Sequence, residues 1–583
     1  MFDRIRPLFP YLKRYWKSLA WGGIAVILYN VFRVMIPPIV GHAFDDMKHG
    51  VTEAKIQYHA LRLLGVAACS AICLYLTRQI IIGASREIEF DLRNDLFSNL
   101  ERQSASFYHT HRTGDIMART TNDLNAVRQL LGPAIMYSAN CVFFTVFALP
   151  FMIRISPMLT LCAVGPLPLA SIMVQGFGQR IHRRFERIQA MFSDISAKAQ
   201  ENFSGARLIR AFAQEDAEIA SFETANIEYI GRSMHLVRLM AMLWPSLELV
   251  LGLGMVITLL VGGHEVVRHR ISVGDFAAFN YYMVQLIWPM IAIGWVVNLF
   301  QRGTASVVRI DELLKQQPDI TDEPGVAPWS SHIAGDIEFR GLSFTYPTGG
   351  PEVLHNVNLR IPAGSSLAIV GPTGSGKSTL VSLIPRLFDA PDGALLIDGE
   401  PVRAHALQEL RSNIGFVPQE TFLFSDTIAQ NIAFGRPDAT DPEILEAATT
   451  AHIATEILEF PRGFETLVGE RGITLSGGQK QRTAIARAVI RNPRILILDD
   501  ALASVDTYTE EKILSGLRDV MRGRTTIFIS HRVSTARNAD QIAVLVDGRI
   551  VERGTHDELL ARNGYYTSLA EKQQLEEELA VTT

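Results

Sequence analysis

The stretch SSLAIVGPTGSGKSTLVSLI, residues 365–384, decides the fold of the second half of the chain. It begins with an apolar run typical of a buried parallel strand and ends with the pattern of a helix. Between the two, Gly371, Gly376, Lys377 and Ser378 match the P-loop pattern G-x-x-x-x-G-K-S. Glycines let backbone N–H groups surround a phosphate, and the helix start adds positive potential. The motif therefore predicts a nucleoside triphosphate site, in which the lysine reaches the β- and γ-phosphates and the serine ligates Mg²⁺.

A second apolar strand, in the stretch ILILDDALASVD over residues 495–506, ends in two neighbouring carboxylates. The run has the pattern of a buried parallel strand that ends at a reactive edge. Asp499, the first carboxylate, is placed to hold Mg²⁺ through water. Together with the P-loop it predicts a chain that binds a nucleoside triphosphate with Mg²⁺.

A second anion site is predicted between these two motifs, in LSGGQKQRTAIARAVIRN over residues 475–492. A serine and two glycines open a predicted helix there, so backbone N–H groups again face an anion. A chain that binds one nucleotide does not need two phosphate sites. The economical explanation is a head-to-tail dimer, in which LSGGQ of one chain caps the γ-phosphate held by the P-loop of the other.

Composition places the chain among membrane proteins and not among nucleic-acid-binding ones. Of its 583 residues 48% are hydrophobic, and its formal net charge is −5, which suggests no nucleic-acid partner. The long apolar runs fall in roughly the first 300 residues, so a membrane half precedes a globular half. The four cysteines, Cys69, Cys73, Cys141 and Cys162, lie in these runs and fit neither a disulfide framework nor a zinc site.

Six segments of the first half are long and apolar enough to cross a bilayer, which takes roughly 20 residues. Three carry no charged residue and three carry one ionisable residue each. In the first group are 133–153, 155–179 and 276–301; in the second are about 18–44 with Arg33, 63–85 with Arg78, and 239–263 with Glu248.

The segments between the crossings alternate in length, which predicts their orientation. Crossings 2–3 and 4–5 are separated by long amphipathic stretches rich in arginine, such as Arg86 and Arg183. The positive-inside rule puts these stretches, both termini and the second half in the cytoplasm. Residues 107–120 and 210–222 are predicted docking tips. The basic, aromatic N-terminus predicts a helix at the membrane surface and no signal peptide.

Arg33 and Glu248 fall near the middle of predicted crossings, where an ionisable residue is expensive unless it faces protein or water. We expect both to face a cavity. They either contact a substrate or pair with polar neighbours such as Asn30 or Asn280. Arg78 is nearer the cytoplasmic end, from which its side chain can reach the interface.

Four further motifs follow in order along the globular half. LSFTYP contains Tyr346, GFVPQET contains Gln419, and IFISHR contains His531. TLVGERG spans residues 466–472. With all these motifs present at full length, the chain resembles the half-transporters among the ATP-binding cassette (ABC) exporters.

The resemblance covers nearly the whole chain and implies a role for each motif. ATP and Mg²⁺ are the implied cofactors, and a second ABC half-transporter is the implied partner. The implied metal contacts are Ser378, Gln419 and Asp499. The implied nucleotide contacts are Tyr346, Gly371, Pro372, Thr373, Gly374, Ser375, Gly376, Lys377, Ser378, Thr379, Ser476, Gly477, Gly478, Gln479 and Asp506.

The resemblance also implies how these groups work. Tyr346 stacks on adenine, and Gln419 touches Mg²⁺ and senses the membrane domain. His531 is the switch histidine, and Ser504 and Asp506 lie in the loop that crosses the dimer interface. Residues 466–472 match the exporter-specific segment that meets the coupling helices, which disfavours an importer.

Asp500 departs from the family, which normally has glutamate after the magnesium aspartate as the general base. Aspartate lacks one methylene, so its carboxylate stops about 1.5 Å back. A general base needs hydrogen-bond reach, and a misplacement of about 1 Å can lower a rate about 100-fold. We therefore predict that this P-loop site binds ATP and hydrolyses it poorly. The LSGGQ stretch, residues 475–479, is the family's signature, and here it is intact. An intact signature beside a weakened acid fits one subunit of a heterodimer; a homodimer that tolerates aspartate is the alternative.

The predicted fold is a membrane all-α domain of six crossings over residues 1–315, joined by a linker, 316–334, to an α/β P-loop ATPase domain over 335–583. The predicted activity is ATP hydrolysis coupled to export of hydrophobic or amphipathic small molecules, of multidrug type, across the cytoplasmic membrane by alternating access. Asp500, His531 and Gln419 are the predicted catalytic residues. A lipid or lipid-A-type flippase is the alternative function. The C-terminal helix from residue 566 is predicted to be solvated.

Overall fold

The computed structural model of the protein describes residues 2–48, 50, 52–165, 167–323, 333–347, 349–469, 472, 474–503 and 507–582. The chain divides into two compact units. The first comprises Met1–Glu101 and Thr113–Gln316, and the second comprises Arg102–Arg112 and Gln317–Thr583. The first unit is helical, and the second combines sheets with helices.

The first unit consists of helices of very different length. Short helices are α1 (Phe2–Ile5), α2 (Phe9–Arg14), α6 (Thr113–Ala118), α7 (Leu124–Gln129), α9 (Pro157–Val164) and α11 (Ala206–Ala211). Long helices are α3 (Trp16–Lys48), α4 (Glu53–Glu101), α8 (Ile135–Ile155), α10 (Leu167–Ser204), α12 (Glu215–Val267) and α13 (Val273–Lys315). The helix α5 (Ala105–Thr110) belongs to the second unit.

Within the described residues, five helical stretches are long and apolar enough to cross a membrane. They are Trp16–Lys48, Glu53–Glu101, Thr113–Ile155, Glu215–Val267 and Val273–Lys315. The remaining predicted crossing, 155–179, falls on α9 and the start of α10, between which residue 166 lies outside the described part of the chain. At 1.5 Å per residue, the 49 residues of α4 extend about 74 Å, which is more than twice the roughly 30 Å of a bilayer core.

Prolines distinguish the long helices from one another. Pro37 and Pro38 lie inside α3, Pro245 inside α12 and Pro289 inside α13. Each removes a backbone donor and disfavours a straight helix. No proline interrupts α4, so its hydrogen-bonded backbone is continuous.

Polar groups join the helices of the first unit at several depths. Asp45 accepts hydrogen bonds from Ser272 Oγ at 2.6 Å and from Gly274 N at 2.7 Å, which fixes the start of α13 against the end of α3. Asp123 accepts from Arg309 Nε at 2.8 Å and from Ser306 Oγ at 2.8 Å. These bonds, each worth about 1 kcal/mol or more when charge-assisted, hold α13 at both ends.

The N-terminal segment forms short turns and not one continuous helix, since α1, a 3₁₀ turn and α2 follow one another up to Arg14. Tyr11 donates to Asp95 at 2.6 Å and Tyr15 to Asp91 at 2.9 Å, both on α4. Burial, together with the hydrogen bond to Asp95, raises the pKa of Tyr11. The segment is therefore attached to α4 through side chains that stay protonated.

The described residues of the second unit form ten strands in two sheets. They are β1 (Ile337–Phe344), β2 (Leu354–Ile361), β3 (Ser366–Val370), β4 (Leu395–Ile397), β5 (Glu400–Pro401), β6 (Ile414–Val417), β7 (Ile495–Asp499), β8 (Thr525–Ile529), β9 (Gln541–Val546) and β10 (Arg549–Gly554). An antiparallel sheet has the order β2-β1-β4-β5, and a six-stranded sheet has the order β10-β9-β3-β8-β7-β6. In the larger sheet only β10 pairs antiparallel, so β9, β3, β8, β7 and β6 end at the same edge.

Both faces of the larger sheet are buried, as expected for parallel strands with helices on each side. In β7, Leu496 and Leu498 face one apolar core and Ile495 and Ile497 face the other. The alternation follows from the two-residue period of a strand. Burying each such side chain stabilises the fold by about 1.5–3 kcal/mol.

Helices cover the sheets and supply most of the apolar core that contains Leu496 and Leu498, which we call the first core. They are α14 (Lys377–Ser382), α15 (Leu407–Ser412), α16 (Ile428–Ala433), α17 (Asp441–Thr450), α18 (Ala454–Glu459), α19 (Gly477–Val489), α20 (Thr507–Met521), α21 (Val533–Ala536), α22 (His556–Ala561) and α23 (Tyr565–Thr582).

The expectation of a solvated C-terminal helix is wrong for the first half of α23. Tyr566 is fully buried, and Leu569 and Ala570 pack against the first core. Glu552 accepts from the backbone N–H groups of Tyr565 and Tyr566. The charged composition of the segment concealed this docked face, because its apolar positions are few.

Candidate functional site

The P-loop leaves β3 through backbone conformations that only glycine adopts easily. Gly371 has φ of +151°, and a Cβ there would lie 2.0 Å from the carbonyl oxygen of Leu545. Gly376 has φ of +95° and precedes the first residue of α14. The spacing of glycines in the motif therefore follows from the close approach of this loop to its neighbours.

Lys377 is folded back onto the loop that it follows. Its Nζ donates to the carbonyl oxygens of Gly371, at 3.0 Å, and Pro372, at 2.8 Å. Burial lowers the pKa of Lys377, although Asp500 and Asp499 act in the opposite direction. Nearby, the hydroxyl of Ser375 is buried without a hydrogen-bond partner. An unpaired donor beside a buried ammonium fits a ligand rich in oxygen acceptors, such as a phosphate chain.

Ser378 and Asp499 lie together at the carboxyl edge of the sheet. Ser378 Oγ donates to Asp499 Oδ1 at 2.9 Å, and Asp499 is only 4% exposed. Burial raises the pKa of Asp499, and the hydrogen bond from Ser378 offsets part of that rise. Gln419 is exposed two residues beyond β6, the edge strand next to β7. A hydroxyl, a carboxylate and an amide are oxygen donors of the kind that Mg²⁺ takes.

Asp500 follows directly in a left-handed conformation, with φ of +49°. Its backbone N–H donates to the carbonyl of Ile529 in β8 at 3.2 Å. His531 follows Ile529 by two residues, and its Nε2 lies 3.7 Å from Asp500 Oδ2. The histidine side chain is 42% exposed and the aspartate side chain 13% exposed. The structure therefore brings two of the three predicted catalytic side chains, Asp500 and His531, together at the ends of β7 and β8.

Tyr346 lies beside the P-loop helix. Its hydroxyl is 2.8 Å from Thr379 Oγ1, and its ring meets the ring of Phe388 edge-on, with centroids 5.0 Å apart. This position puts an aromatic face next to the phosphate-binding loop, as a base-stacking residue requires.

The signature residues cap α19. Ser476 Oγ accepts from Gln479 N at 3.3 Å, and Gln479 Oε1 accepts from Ser476 N at 2.9 Å. Gln479 Nε2 also donates to Glu456 Oε2 at 3.0 Å. The signature thus belongs to a different element from the P-loop, and among the described residues no hydrogen bond joins the two.

Two segments of the predicted site fall on residues outside the described part of the chain. Ser504 and Asp506 are among them, as are residues 470 and 471 of the exporter-specific segment. The start of that segment is described, and Ile428 N donates to Thr466 O at 3.0 Å.

Comparisons with known proteins match both halves of the chain. Residues 19–290 match the ABC transporter transmembrane region, and residues 354–503 match the family described as ABC transporter. The probable multidrug resistance ABC transporter ATP-binding/permease protein YheI of Bacillus subtilis (strain 168) is 37% identical over 99% of this chain and 98% of its own length. This chain belongs to the ABC transporter family.

Other similar proteins agree on an exporter. The multidrug resistance-like ATP-binding protein MdlA of Escherichia coli (strain K12) is 38% identical over 97% of this chain and 96% of its own. An ATP-dependent lipid A-core flippase of Syntrophus aciditrophicus (strain SB) is 34% identical over 98% and 94%. The solved structure of a bacterial Atm1-family ABC exporter with ATP bound is 29% identical, with a TM-score of 0.74 over 96% of this chain and 98% of that one.

The family settles the coarse biochemistry. The chain is an ABC exporter, a multi-pass membrane protein whose ATPase domain binds ATP and couples its hydrolysis to transport. ABC exporters work as dimers. The sequence-based predictions of the family, the fold class and the ATPase activity are confirmed.

The membrane unit of this exporter contains a cavity of about 280 Å³. It is lined by Tyr29, Arg33, Leu74, Arg78, Met136, Tyr137, Asn140, Cys141, Trp288 and Pro289. Arg33 Nε donates to Gln285 Oε1 at 2.5 Å, and its guanidinium lies 4.6 Å from the ring centre of Phe144. Among the described residues, two cations and no carboxylate therefore line this cavity, beside aromatic rings.

Arg33 pairs with a polar neighbour, as one of the two expected alternatives has it, but that neighbour is Gln285 and neither Asn30 nor Asn280. Asn30 donates to Asn140 at 2.9 Å, and Asn280 donates to the carbonyl of Phe276 at 3.0 Å. Glu248 is exposed on α12, and no hydrogen bond or ion pair of the described residues holds it.

Sequence reasoning missed a buried acid behind the switch histidine. Glu510, 3% exposed, accepts from Arg532 and from the hydroxyl of Thr535. No local pattern marks these residues, because α20 supplies Glu510, the loop after β8 supplies Arg532 and α21 supplies Thr535.

Proposed function

We propose that this chain exports hydrophobic or amphipathic small molecules of multidrug type across the cytoplasmic membrane by alternating access. The observation that carries the proposal is full-length similarity to YheI and MdlA, whose names describe multidrug resistance. The cavity lined by aromatic side chains in the membrane unit supports it. The arginine-rich connecting segments favour an orientation with both termini and the ATPase domain in the cytoplasm.

In this proposal the residues at the carboxyl edge of the sheet divide the work on ATP. Lys377 neutralises β- and γ-phosphate charge, and the backbone from Gly371 to Thr379 holds the phosphates. Tyr346 stacks on adenine. Ser476, Gly477, Gly478 and Gln479 of one chain cap the γ-phosphate bound by the other, with Asp506 at the interface.

Mg²⁺ would be held by Ser378, Asp499 and Gln419, whose oxygen donors fit it. When bound, it neutralises phosphate charge that develops during hydrolysis. Asp499 receives a hydrogen bond from Ser378 Oγ, so the two residues orient each other in advance. The proposed domain limits are residues 1–315 for the membrane domain, 316–334 for the linker and 335–583 for the ATPase domain.

Asp500 and His531 would act on the attacking water. Because Asp500 is shorter than the usual glutamate, it would be a poor general base. Asp500 is tethered through its backbone to Ile529, so a short side chain has little freedom to advance. The proposed result is a site that retains ATP and turns it over slowly. We therefore propose a heterodimer, in which this chain lends its intact signature to a partner with glutamate at this position.

ATPase turnover of the purified full-length chain in lipid tests this proposal. The chain alone should turn over slowly, Asp500→Glu should raise the rate about tenfold or more, and Asp500→Asn should change little. Asp519→Glu, at an exposed aspartate on α20, is the matched control. Rapid hydrolysis by the lone chain that Asp500→Asn abolishes would establish a homodimer with a competent aspartate.

A lipid flippase is a second candidate, favoured by one observation. Arg33 and Arg78 face one cavity whose described lining residues include no carboxylate, which suits an anionic head group. A lipid A-core flippase is also among the similar proteins. Vesicles that hold the assembled transporter distinguish the two functions: ATP-dependent movement of a lipophilic dye supports the multidrug proposal, and movement of a labelled anionic lipid alone supports the flippase.

A further inference from the structure

The C-terminal helix α23 presents one face to the second unit at helical spacing. Tyr566, Leu569 and Ala570 occupy positions i, i+3 and i+4 of this face and are buried or half-buried. Gln573 is the next member, at i+7, and is also half-buried, whereas Glu571 and Lys572 are exposed. A packed helix normally has an apolar residue at such a position. The helix register therefore directs a carboxamide inward, where both of its polar atoms need partners.

The loop that carries His531 supplies both partners. Gln573 Oε1 accepts from the backbone N–H of Val533 at 2.7 Å, and Gln573 Nε2 donates to the backbone carbonyl of His531. The two bonds fix the orientation of the amide, because reversing it would oppose donor to donor and acceptor to acceptor. One side chain thus bridges the backbone on both sides of Arg532.

The same short loop is held from other directions as well. Ser530 N donates to the carbonyl of Ile369 at the end of β3, at 3.3 Å, and Glu510 holds the Arg532 side chain. Neither contact reaches the backbone carbonyl of His531 itself. Among the described residues, the hydrogen bond to the His531 carbonyl comes from Gln573, which therefore fixes that carbonyl and the direction in which the imidazole leaves the backbone.

We propose that Gln573 is a positioning residue for ATP hydrolysis, which acts by holding His531 in place opposite Asp500. The proposal rests on the role given to His531 above. His531 Nε2 is 3.7 Å from Asp500 Oδ2, so a small shift of the loop moves it into or out of hydrogen-bond reach. Docking of α23 is thereby part of the hydrolytic machinery.

Single-turnover hydrolysis of radiolabelled ATP by the full-length chain in lipid tests this, with and without Asp500→Glu. Gln573→Met keeps the length of the side chain and removes both hydrogen bonds. We expect the rate to fall about tenfold, since a misplacement of about 1 Å can cost up to about 100-fold. The ATP concentration at half-maximal rate should stay within about twofold, because no nucleotide contact changes. Glu571→Met, on the exposed face of α23, should leave both unchanged.

A double-mutant cycle separates positioning from a general loss of stability. If Gln573 acts through His531, then Gln573→Met should add nothing to His531→Ala. Gln573→Glu keeps the bond from Val533 N but, as a carboxylate at neutral pH, has no proton to donate to the His531 carbonyl, so it should retain more activity than Gln573→Met and less than the unmodified chain. It also replaces Gln573→Met should that variant fail to assemble.

The outcomes are distinct. No effect of Gln573→Met beside a strong effect of His531→Ala would overturn this inference alone, as would losses that multiply in the double variant. No effect of His531→Ala would overturn the role proposed for His531, and the inference with it.

Discussion

In the nucleotide site the functional groups come from strand ends and loop backbone, whereas in the membrane cavity they come from side chains on four helices. The P-loop, Asp499 and His531 leave three neighbouring strands of one sheet, so the register of the sheet fixes their separation. Arg33 and its partner Gln285 are 252 residues apart and meet only through helix packing. The first design tolerates little change, and the second allows gradual change of ligand with small cost to the fold.

Lys377→Ala should have the largest effect, and it tests whether the nucleotide site is as intolerant of change as this comparison implies. Removing a buried ammonium that faces the phosphate site should weaken ATP binding about 10- to 100-fold, the worth of charged hydrogen bonds, and abolish ATP-dependent transport. Nucleotide titration and vesicle transport by the assembled dimer measure the two effects. Arg522→Ala, which removes an exposed cation, is the control. Transport that survives Lys377→Ala would show that this site is not required.

Tyr346→Leu should have the next largest effect. Loss of stacking on a base costs about 1–3 kcal/mol, so affinity for ATP should fall about tenfold. Tyr346→Phe keeps the ring and loses only the hydroxyl contact with Thr379, so its affinity should change little. Equal affinities of the leucine variant and the unmodified chain would remove the tyrosine from the site.

Arg33→Gln and Arg78→Gln test whether the membrane cavity tolerates substitution better than the nucleotide site does. Each should lower transport of an anionic amphiphile about fivefold, as expected for roughly 1 kcal/mol, and leave a neutral one unchanged. Basal ATP hydrolysis should be unaffected in both. A loss of hydrolysis instead would show that the cavity is as intolerant as the nucleotide site.

The smallest expected effect concerns the start of α17, which contributes no predicted residue to either site. Thr440 and Glu443 form a capping box, with Glu443 Oε2 accepting from Thr440 N at 2.8 Å. Thr440→Ala should lower the melting temperature by about 2–4 °C.

Acid should remove the contribution of the same cap. The backbone hydrogen bond from Thr440 lowers the pKa of Glu443 from 4.5 to about 2. The carboxylate therefore stabilises the fold fully above the unfolded value and loses this effect as pH falls toward about 2. The difference in melting temperature between Glu443→Gln and the unmodified chain should shrink over that range. Glu446→Gln, on the same helix, should show no such trend.

The sequence alone allowed prediction of the parts that depend on local pattern. The strands β3 and β7 follow from short apolar runs, and Lys377, Ser378 and Asp499 follow from motif spacing. The contacts that it did not reveal join distant segments. Gln573 lies in a polar, charged stretch whose docked face shows only after α23 is packed. Arg33 donates a hydrogen bond to Gln285, which no periodicity singles out among the polar residues of the membrane helices.

The uninterrupted backbone of α4 has a mechanical consequence. Because no proline interrupts the 49 residues of α4, we expect this helix to tilt as a rod. A tilt of about 5° about one tip sweeps the opposite tip through about 6 Å over its length of about 74 Å. A small change of tilt about one tip thus becomes a movement of several ångströms for groups many turns away.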